Sequence, residues 1–343
     1  MIKFPHIDQF YQVARYVKNT NENPDIPEQY KITSPVEFLG TLKLHGSNAG
    51  VTLEGESFIP QSRTQEITPE EDNHGFAKFA WENCQVIQNI YEDICFAFDL
   101  PPTVQMTIFG EWIGKGINKG CAIHQLPEKE WVIFGAKIKE YEDVKGGFLD
   151  LRNILISGAA AKANIYDIFD CQKFWKLKVD FSLPEAMSLA VEYALQKTLE
   201  VEAECPWGKM KGIKGIGEGI VWVPIGDHWG NTNLFWKSKG EKHSVTKKKT
   251  LKPMLAPEVL RAISDFIDFA VTENRLTQGL EAIQEQGHSL EMKSMGHYLK
   301  WINQDIQREC ALEIEDNKLD WKKVNQAVSE KARKFFCAKV REI

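Results

Sequence analysis

Lys43-Leu44-His45-Gly46-Ser47-Asn48 lies where one apolar run ends and another begins. Upstream, Val36, Phe38, Leu42 and Leu44 supply β-compatible positions. Gly46-Ser47-Asn48 breaks the run and Ala49 to Leu53 resumes it, so residues 36–59 read as strand, turn, strand. Working outward, a short strand is expected around Ser57 to Gln61. Val104 to Trp112 and Trp131 to Ile138 alternate or run apolar, as buried strands do. Phe79, Ile87, Ile90 and Ile94 recur at helical intervals within Phe76 to Phe98, and Pro184 to Leu199 reads as another helix. Gly219 to Pro224 and Asn233 to Lys239 add short strands, and this interleaving implies an α+β domain.

The pattern changes near residue 250. Thr246 to Pro257 is rich in lysine and proline and reads as a linker. Beyond it, Val259, Ile263, Phe266, Ile267 and Ala270 recur at three- and four-residue steps, as do Met295, Leu299, Ile302 and Ile306. Asp320 is placed to cap a last helix carrying Trp321, Val324, Val328, Ala332 and Phe335 on one face. The expected division is residues 1–246, a linker at 247–257, and a small all-α domain at 258–343.

Composition narrows the function classes. The 343 residues are 43% hydrophobic and 26% charged, ordinary for a globular protein. No stretch approaches the ~20 apolar residues that would cross a bilayer, and Met1 to His6 lacks the apolar core of a secretion signal. Seven cysteines with no C-x-x-C pair argue against a disulfide framework or a thiolate zinc site. An intracellular protein, not a secreted or membrane one, is expected. The net charge of −6 hides a basic segment: Lys237 to Lys252 holds seven lysines and one acid, Glu241. Lys209, Lys211 and Lys214 form a second basic cluster. Both read as a solvated face or as a track for a polyanion.

Four charged strings follow the opening one in order: Ser62-Arg63-Thr64; Phe109-Gly110-Glu111-Trp112-Ile113-Gly114-Lys115-Gly116; Glu218-Gly219-Ile220-Val221-Trp222; and Lys237-Ser238-Lys239-Gly240. The series resembles the covalent nucleotidyltransferases, the ATP-dependent ligases and capping enzymes. The K-x-H-G-[ST]-N form of the first string resembles the RNA ligase 2-like group of phage double-strand RNA ligases and kinetoplastid RNA-editing ligases. The resemblance covers roughly residues 35–250 through these motifs, and the helical tail is like that of the phage enzymes rather than the β-rich tail of DNA ligases. It implies a nucleotidyltransferase (ligase/ATP-grasp-like) domain of antiparallel sheets with helices, then the all-α domain.

Each residue of the series suits a step of that chemistry. Lys43 would attack the α-phosphorus of a nucleoside triphosphate and expel pyrophosphate. A free lysine has a pKa near ~10.4, so deprotonation at neutral pH costs roughly 4 kcal/mol, about three orders of magnitude in rate. Other cations, with Lys237 and Lys239 as the sources, are expected to push that pKa down. Spaced i, i+2 on a strand, those two lysines share a face and can reach a triphosphate together. His45 either shares the Lys43 face or begins the turn, and the resemblance places it near the reacting phosphate. Gly46 is expected to take a backbone conformation that a Cβ would penalise. Asn48, part of the family's active site, can present an amide to phosphate or metal-bound water. Arg63 suits a phosphate or ribose contact, and Glu111 can accept from ribose hydroxyls. Glu218, a carboxylate among cations, is a seat for Mg²⁺ or Mn²⁺. By resemblance, Phe134 is the aromatic that stacks on the purine. Gly114-Lys115-Gly116 is not a P-loop, since no G-K-[ST] opens a helix there. Where several family members carry an acid before the nucleophile, this chain has Leu42.

The resulting expectation is an ATP-dependent RNA ligase that works through lysyl-AMP and adenylated RNA, sealing nicked duplexes or bridged breaks in RNA repair. The rivals are a DNA ligase, a GTP-using capping-type enzyme, and a non-catalytic nucleic-acid-binding protein on the same fold.

Overall fold

The computed structural model describes residues 1–72, 74–140, 146–154, 156, 158–240 and 259–342. The expected linker at 247–257, with the boundaries drawn on either side of it, lies outside the described residues, as does the lysine run from Glu241 onward. The chain divides into two compact units, Met1–Gly240 and Glu241–Ile343.

The first unit is built on two sheets. One has four antiparallel strands in the order β10-β9-β1-β8: β10 (Trp236–Lys239), β9 (Gly219–Pro224), β1 (Val36–Lys43) and β8 (Phe174–Val179). The other runs β3 (Ser57–Ser62), β2 (Ser47–Glu54), β4 (Met106–Ile113), β5 (Glu130–Ile138), β6 (Gly147–Leu149), with β7 (Ile165–Asp167) pairing parallel to β5. The expected α+β class of antiparallel sheets with helices is what the chain forms. The break at Gly46 does more than turn a hairpin, because β1 and β2 belong to different sheets. The Lys43 string is therefore the crossover between the two layers.

Helices cover the outer faces. On the four-stranded sheet lie α1 (Phe10–Glu22), α5 (Pro184–Ala203) and α6 (Pro206–Met210). Proline opens α5, where its missing N–H costs nothing. Ala190, Ala194, Thr198 and Val201 form the buried stripe of α5. On the six-stranded sheet lie α2 (Phe76–Glu82), α3 (Cys84–Ala97) and α4 (Gly158–Lys162). The single helix expected over Phe76 to Phe98 is thus two. Asn83 leaves helical geometry at φ −114° and bonds back to the Phe79 carbonyl through its side chain, at 2.8 Å. The strand expected from Asn233 begins only at Trp236, because Asn231 caps a tight turn over Thr232–Leu234.

The second unit is helical among the described residues: α7 (Val259–Ala270), α8 (Glu273–Glu285), α9 (Met295–Glu309), α10 (Ala311–Asp316) and α11 (Trp321–Arg341). Phe266, Leu280, Tyr298, Ile302, Val328 and Phe336 fill its core. Asp320 caps α11 by accepting from the Lys322 amide at 3.0 Å. Helix α8 has no counterpart in the periodicity reading. Its buried face includes Gly279, where a Cβ would come within 2.7 Å of Ile302, and Arg275, which donates to Asp305 at 2.9 Å. Among the described residues no helix is long and apolar enough to cross a membrane, and no disulfide joins any of the cysteines.

Candidate active site

The four-stranded sheet sets Lys43 and Lys239 in register. Lys43 at the end of β1 and Lys239 at the end of β10 both sit opposite Gly219 of the intervening β9. A Cβ at Gly219 would overlap the Ser238 carbonyl oxygen, so glycine here allows the close approach of β10. Which face the lysines take is decided behind the sheet. Trp222 and Trp236 stack across β9 and β10 with centroids 5.2 Å apart. Ser238 points the same way, accepting from Trp222 Nε1 at 3.0 Å and meeting Thr198 of α5 at 2.7 Å. Alternation then sends Lys237 and Lys239 to the opposite, open face. Gly40 makes room on β1, since a Cβ there would lie 2.7 Å from the Trp222 ring.

Glu218 is the hub. Its side chain is 1% exposed. Oε2 accepts from Lys43 Nζ at 2.7 Å and lies 3.5 Å from His45 Nδ1, and Oε1 lies 3.0 Å from Lys239 Nζ. Its backbone carbonyl accepts from the Gly240 amide at 3.1 Å, tying the residues before β9 to the end of β10. Burial alone would raise the carboxyl pKa, but Lys43, Lys239 and His45 together hold it well below the ordinary carboxylate range. For Lys43, burial favours the neutral amine, yet the attraction of Glu218 and Glu111 outweighs it and the pKa rises. Arg63 pulls the Lys43 pKa down, as expected of a neighbouring cation, but the two acids prevail. The sequence shows the lysines but not that a buried acid lies between them. Lys237 shares the Lys239 face one step further back along β10, and its amide donates to the Asp8 carbonyl at 2.9 Å.

The six-stranded sheet supplies the opposing polar groups. Asn48 and Glu111 face each other across β2 and β4. Glu111 Oε1 accepts from the Gly46 amide at 3.0 Å, and Asn118 Nδ2 donates to the Gly46 carbonyl at 2.8 Å. The crossover peptide is clamped at both ends. Gly46 is required for room rather than for an unusual backbone angle, correcting the expectation: a Cβ would overlap the Trp112 carbonyl oxygen and come within 2.8 Å of Glu111. Asn118 does not stand out in the sequence, where it is one loop asparagine among several; its φ of 26° marks it only once the fold is seen. Arg63 follows β3 on an exposed turn, with Nη2 3.4 Å from His6 Nδ1, and it is near enough to Lys43 to oppose that lysine's charge.

Phe134 sits at a β-bulge. Phe109 pairs with Gly135 and Gly110 with Ile133, leaving Phe134 unopposed on β5. Such an insertion re-aims a side chain, and Phe134 stays half-buried between fully buried neighbours. The basic cluster at 209–214 is largely neutralised: Lys209 pairs with Glu204 at 2.6 Å and Lys211 with Glu130 at 2.8 Å. Two of its three lysines are therefore already paired with acids, Lys209 at the surface and Lys211 with the buried Glu130.

A divalent cation fits this donor set in one way. Among the described residues no three His, Cys, Asp or Glu side chains converge as an all-protein cage. A single buried carboxylate does match the habit of Mg²⁺, which takes one or two carboxylates and fills its sphere with water and phosphate oxygens. Asn48 Oδ1 is buried and has no hydrogen-bond partner among the described residues, so the site has a spare acceptor for hydrated metal or nucleotide.

The family model for RNA ligase matches residues 36–237. Among solved structures, the chain is similar to an RNA ligase of Naegleria gruberi. A lysine-to-methionine mutant with AMP and Mn is 14% identical at a TM-score of 0.42, over 70% of this chain and 56% of that one. A lysine-to-alanine mutant with ATP and Mn is 13% identical at 0.42, over 70% and 57%. The same ligase with PPi is 15% identical at 0.41, over 70% and 56%. The chain thus spans little more than half the length of these structures.

Proposed function

We propose that this chain, which belongs to the RNA ligase family, is an ATP-dependent enzyme that joins RNA 3′-hydroxyl and 5′-phosphate ends through an AMP held on Lys43. One observation carries the reading: Lys43 and Lys239 at the ends of two strands of one sheet, and His45 in the crossover that leaves it, converge on a single buried carboxylate, Glu218. A buried ion cluster of this cost is retained where charge must be handled.

Lys43 Nζ attacks the α-phosphorus of ATP, forming a P–N bond as the bond to pyrophosphate breaks. A 5′-phosphate oxygen of RNA then attacks the AMP phosphorus, the P–N bond breaks and the lysine is released. Finally, a 3′-hydroxyl attacks the adenylated 5′-phosphate and AMP leaves. Before the first step Glu218 has to give up its bond to Lys43, since the pair stabilises the charged amine. Mg²⁺ or Mn²⁺ bound at Glu218 would offset phosphate charge and compete with Lys43 for that carboxylate. Lys237 and Lys239 face the phosphates from β10, and Arg63 reaches phosphate or ribose. Glu111 and Asn48 meet ribose, phosphate or metal-bound water, and Phe134 stacks on the purine. The second unit, with the lysine run before it, would hold nicked or bridged RNA, in keeping with a repair role.

Intact-mass measurement after mixing with ATP and Mg²⁺ tests this. Wild type should gain one AMP and Lys43→Ala none; equal gain by both would end the proposal. Labelled ATP and GTP in parallel decide the nucleotide. Nicked RNA and nicked DNA duplexes decide the polymer, and sealing of DNA alone would reject the RNA assignment.

A further inference from the structure

Outside the five strings, the segment Ile2–Asp8 lies against Phe134, Arg63 and Lys237. Phe4 meets Phe134 edge-on, with centroids 5.1 Å apart and planes at 72°. It meets Phe109 at 5.2 Å and Phe148 at 5.6 Å in the same manner. His6 Nδ1 is 3.4 Å from Arg63 Nη2, while His6 Nε2 lies 3.4 Å from Asp8 Oδ1. Asp8 then pairs with the start of β10, its amide donating to the Phe235 carbonyl at 3.2 Å and its carbonyl accepting from the Lys237 amide at 2.9 Å, on either side of Trp236.

The segment is anchored from below by a buried polar ladder in the six-stranded sheet. Gln61 of β3 is 1% exposed and donates to the Ile2 carbonyl at 2.7 Å. Its Oε1 accepts from the Thr52 hydroxyl at 2.8 Å, and Thr52 and Thr107 hydroxyls are 2.6 Å apart. Buried polar groups of this kind cost stability unless each is satisfied. The Ile2 carbonyl is what satisfies the last of them, so the sheet carries a dedicated dock for this segment.

Neither Phe4 nor Phe134 is fully covered. Two partly buried aromatic rings are thus held edge to face, one of them on a bulge. Phe134 has no register partner on β4; its ring packs against the buried core on one side and is met edge-on by Phe4.

We propose that Phe4 is a positioning residue for the purine: it sets the plane of the Phe134 ring, and the segment carrying it holds Arg63 to the same site through His6. The inference rests on the nucleotide reading above and deepens it. It assigns base positioning to a segment outside the motif series.

The test is a double-mutant cycle on the full chain, reading initial rates of AMP transfer to Lys43 by intact mass across ATP concentrations. Phe4→Ala should raise KM for ATP about tenfold, the worth of one well-placed aromatic pair, with kcat within about twofold. Phe4→Tyr should behave as wild type. In a Phe134→Ala background, Phe4→Ala should add nothing, because it acts through that ring. If Phe4→Ala folds poorly, Phe4→Leu keeps most of the volume but not the ring plane and should show the same rise in KM. A lowered melting temperature with unchanged KM, or losses that simply add in the double variant, would reduce Phe4 to core filling and overturn the proposal. Failure of wild type itself to take AMP would instead overturn the nucleotide reading on which it stands.

Discussion

With Nζ 2.7 Å from Glu218 Oε2, Lys43 is kept charged by the same carboxylate that gathers Lys239 and His45. Removing that acid should leave burial as the dominant influence and lower the lysine pKa. Glu218→Gln is therefore expected to react faster with an amine-selective acylating reagent at neutral pH, at the Lys43 position mapped by peptide mass. AMP uptake from ATP should fall in the same variant. A slower reagent rate would show that Glu218 does not control the amine. Asp167 makes an independent pH prediction. Burial pushes its carboxyl up to about 7, although it accepts from the Phe169 amide at 2.7 Å. Its folded value is above the unfolded one, so the folded state binds the extra proton. Stability tied to this group should be present below about pH 4 and decline as pH rises through 7, by up to about 4 kcal/mol. Asp167→Asn should flatten that decline, giving a melting-temperature advantage over wild type that grows from pH 4 to pH 8.

At the scale of elements, the site depends on how β10 is seated. The Trp222–Trp236 stack and the Thr198–Ser238–Trp222 bonds hold the back of the strand, and Gly219 lets it approach. Gly219→Ala forces the Ser238 carbonyl away and takes Lys239 with it. The expected cost is about 3 kcal/mol, in line with other overpacked sites. It should be read as a fall in denaturant midpoint together with loss of AMP uptake. Wild-type uptake in a variant of that lowered stability would mean that the Lys239 register is dispensable. The bulge in β5 works in the same way, using one unpaired residue to turn Phe134 out of an otherwise buried strand.

For the whole molecule, every residue assigned to nucleotide chemistry lies in the unit Met1–Gly240, and both of that unit's apolar cores are internal to it. A chain ending at Gly240 is expected to take AMP on Lys43 from ATP, while sealing nicked RNA at least about tenfold more slowly, as removal of an RNA-holding unit implies. Full sealing by the short chain would remove the second unit from the reaction. RNA binding by the full chain should also weaken steeply with salt. Replacing lysines between Lys242 and Lys252 should flatten that slope by ~0.7 for each phosphate of a single strand that is no longer neutralised.

Local periodicity is enough to read the α+β class, most strands and the helical tail, because alternation and helical spacing are short-range properties, and motif order is what nominates the candidate site residues. Less of the architecture is legible where pairing is long-range. Strand β8 has a usable alternation in Trp175, Leu177 and Val179, but only its pairing with β1, more than a hundred residues earlier, makes it part of the same sheet as Lys43. Helices α1 and α8 escape the periodicity for a related reason: their buried faces include Thr20, Arg275 and Gly279, which look polar or breaking until their partners are present. The Lys43 string nominates the candidate amine. That β1 and β2 part into two sheets there, that Glu218 lies between two lysines, and that Phe4 leans on Phe134 are decided by tertiary structure. Charge state, room for a glycine and the aim of a side chain are set by atoms distant in sequence, and folding alone brings those together.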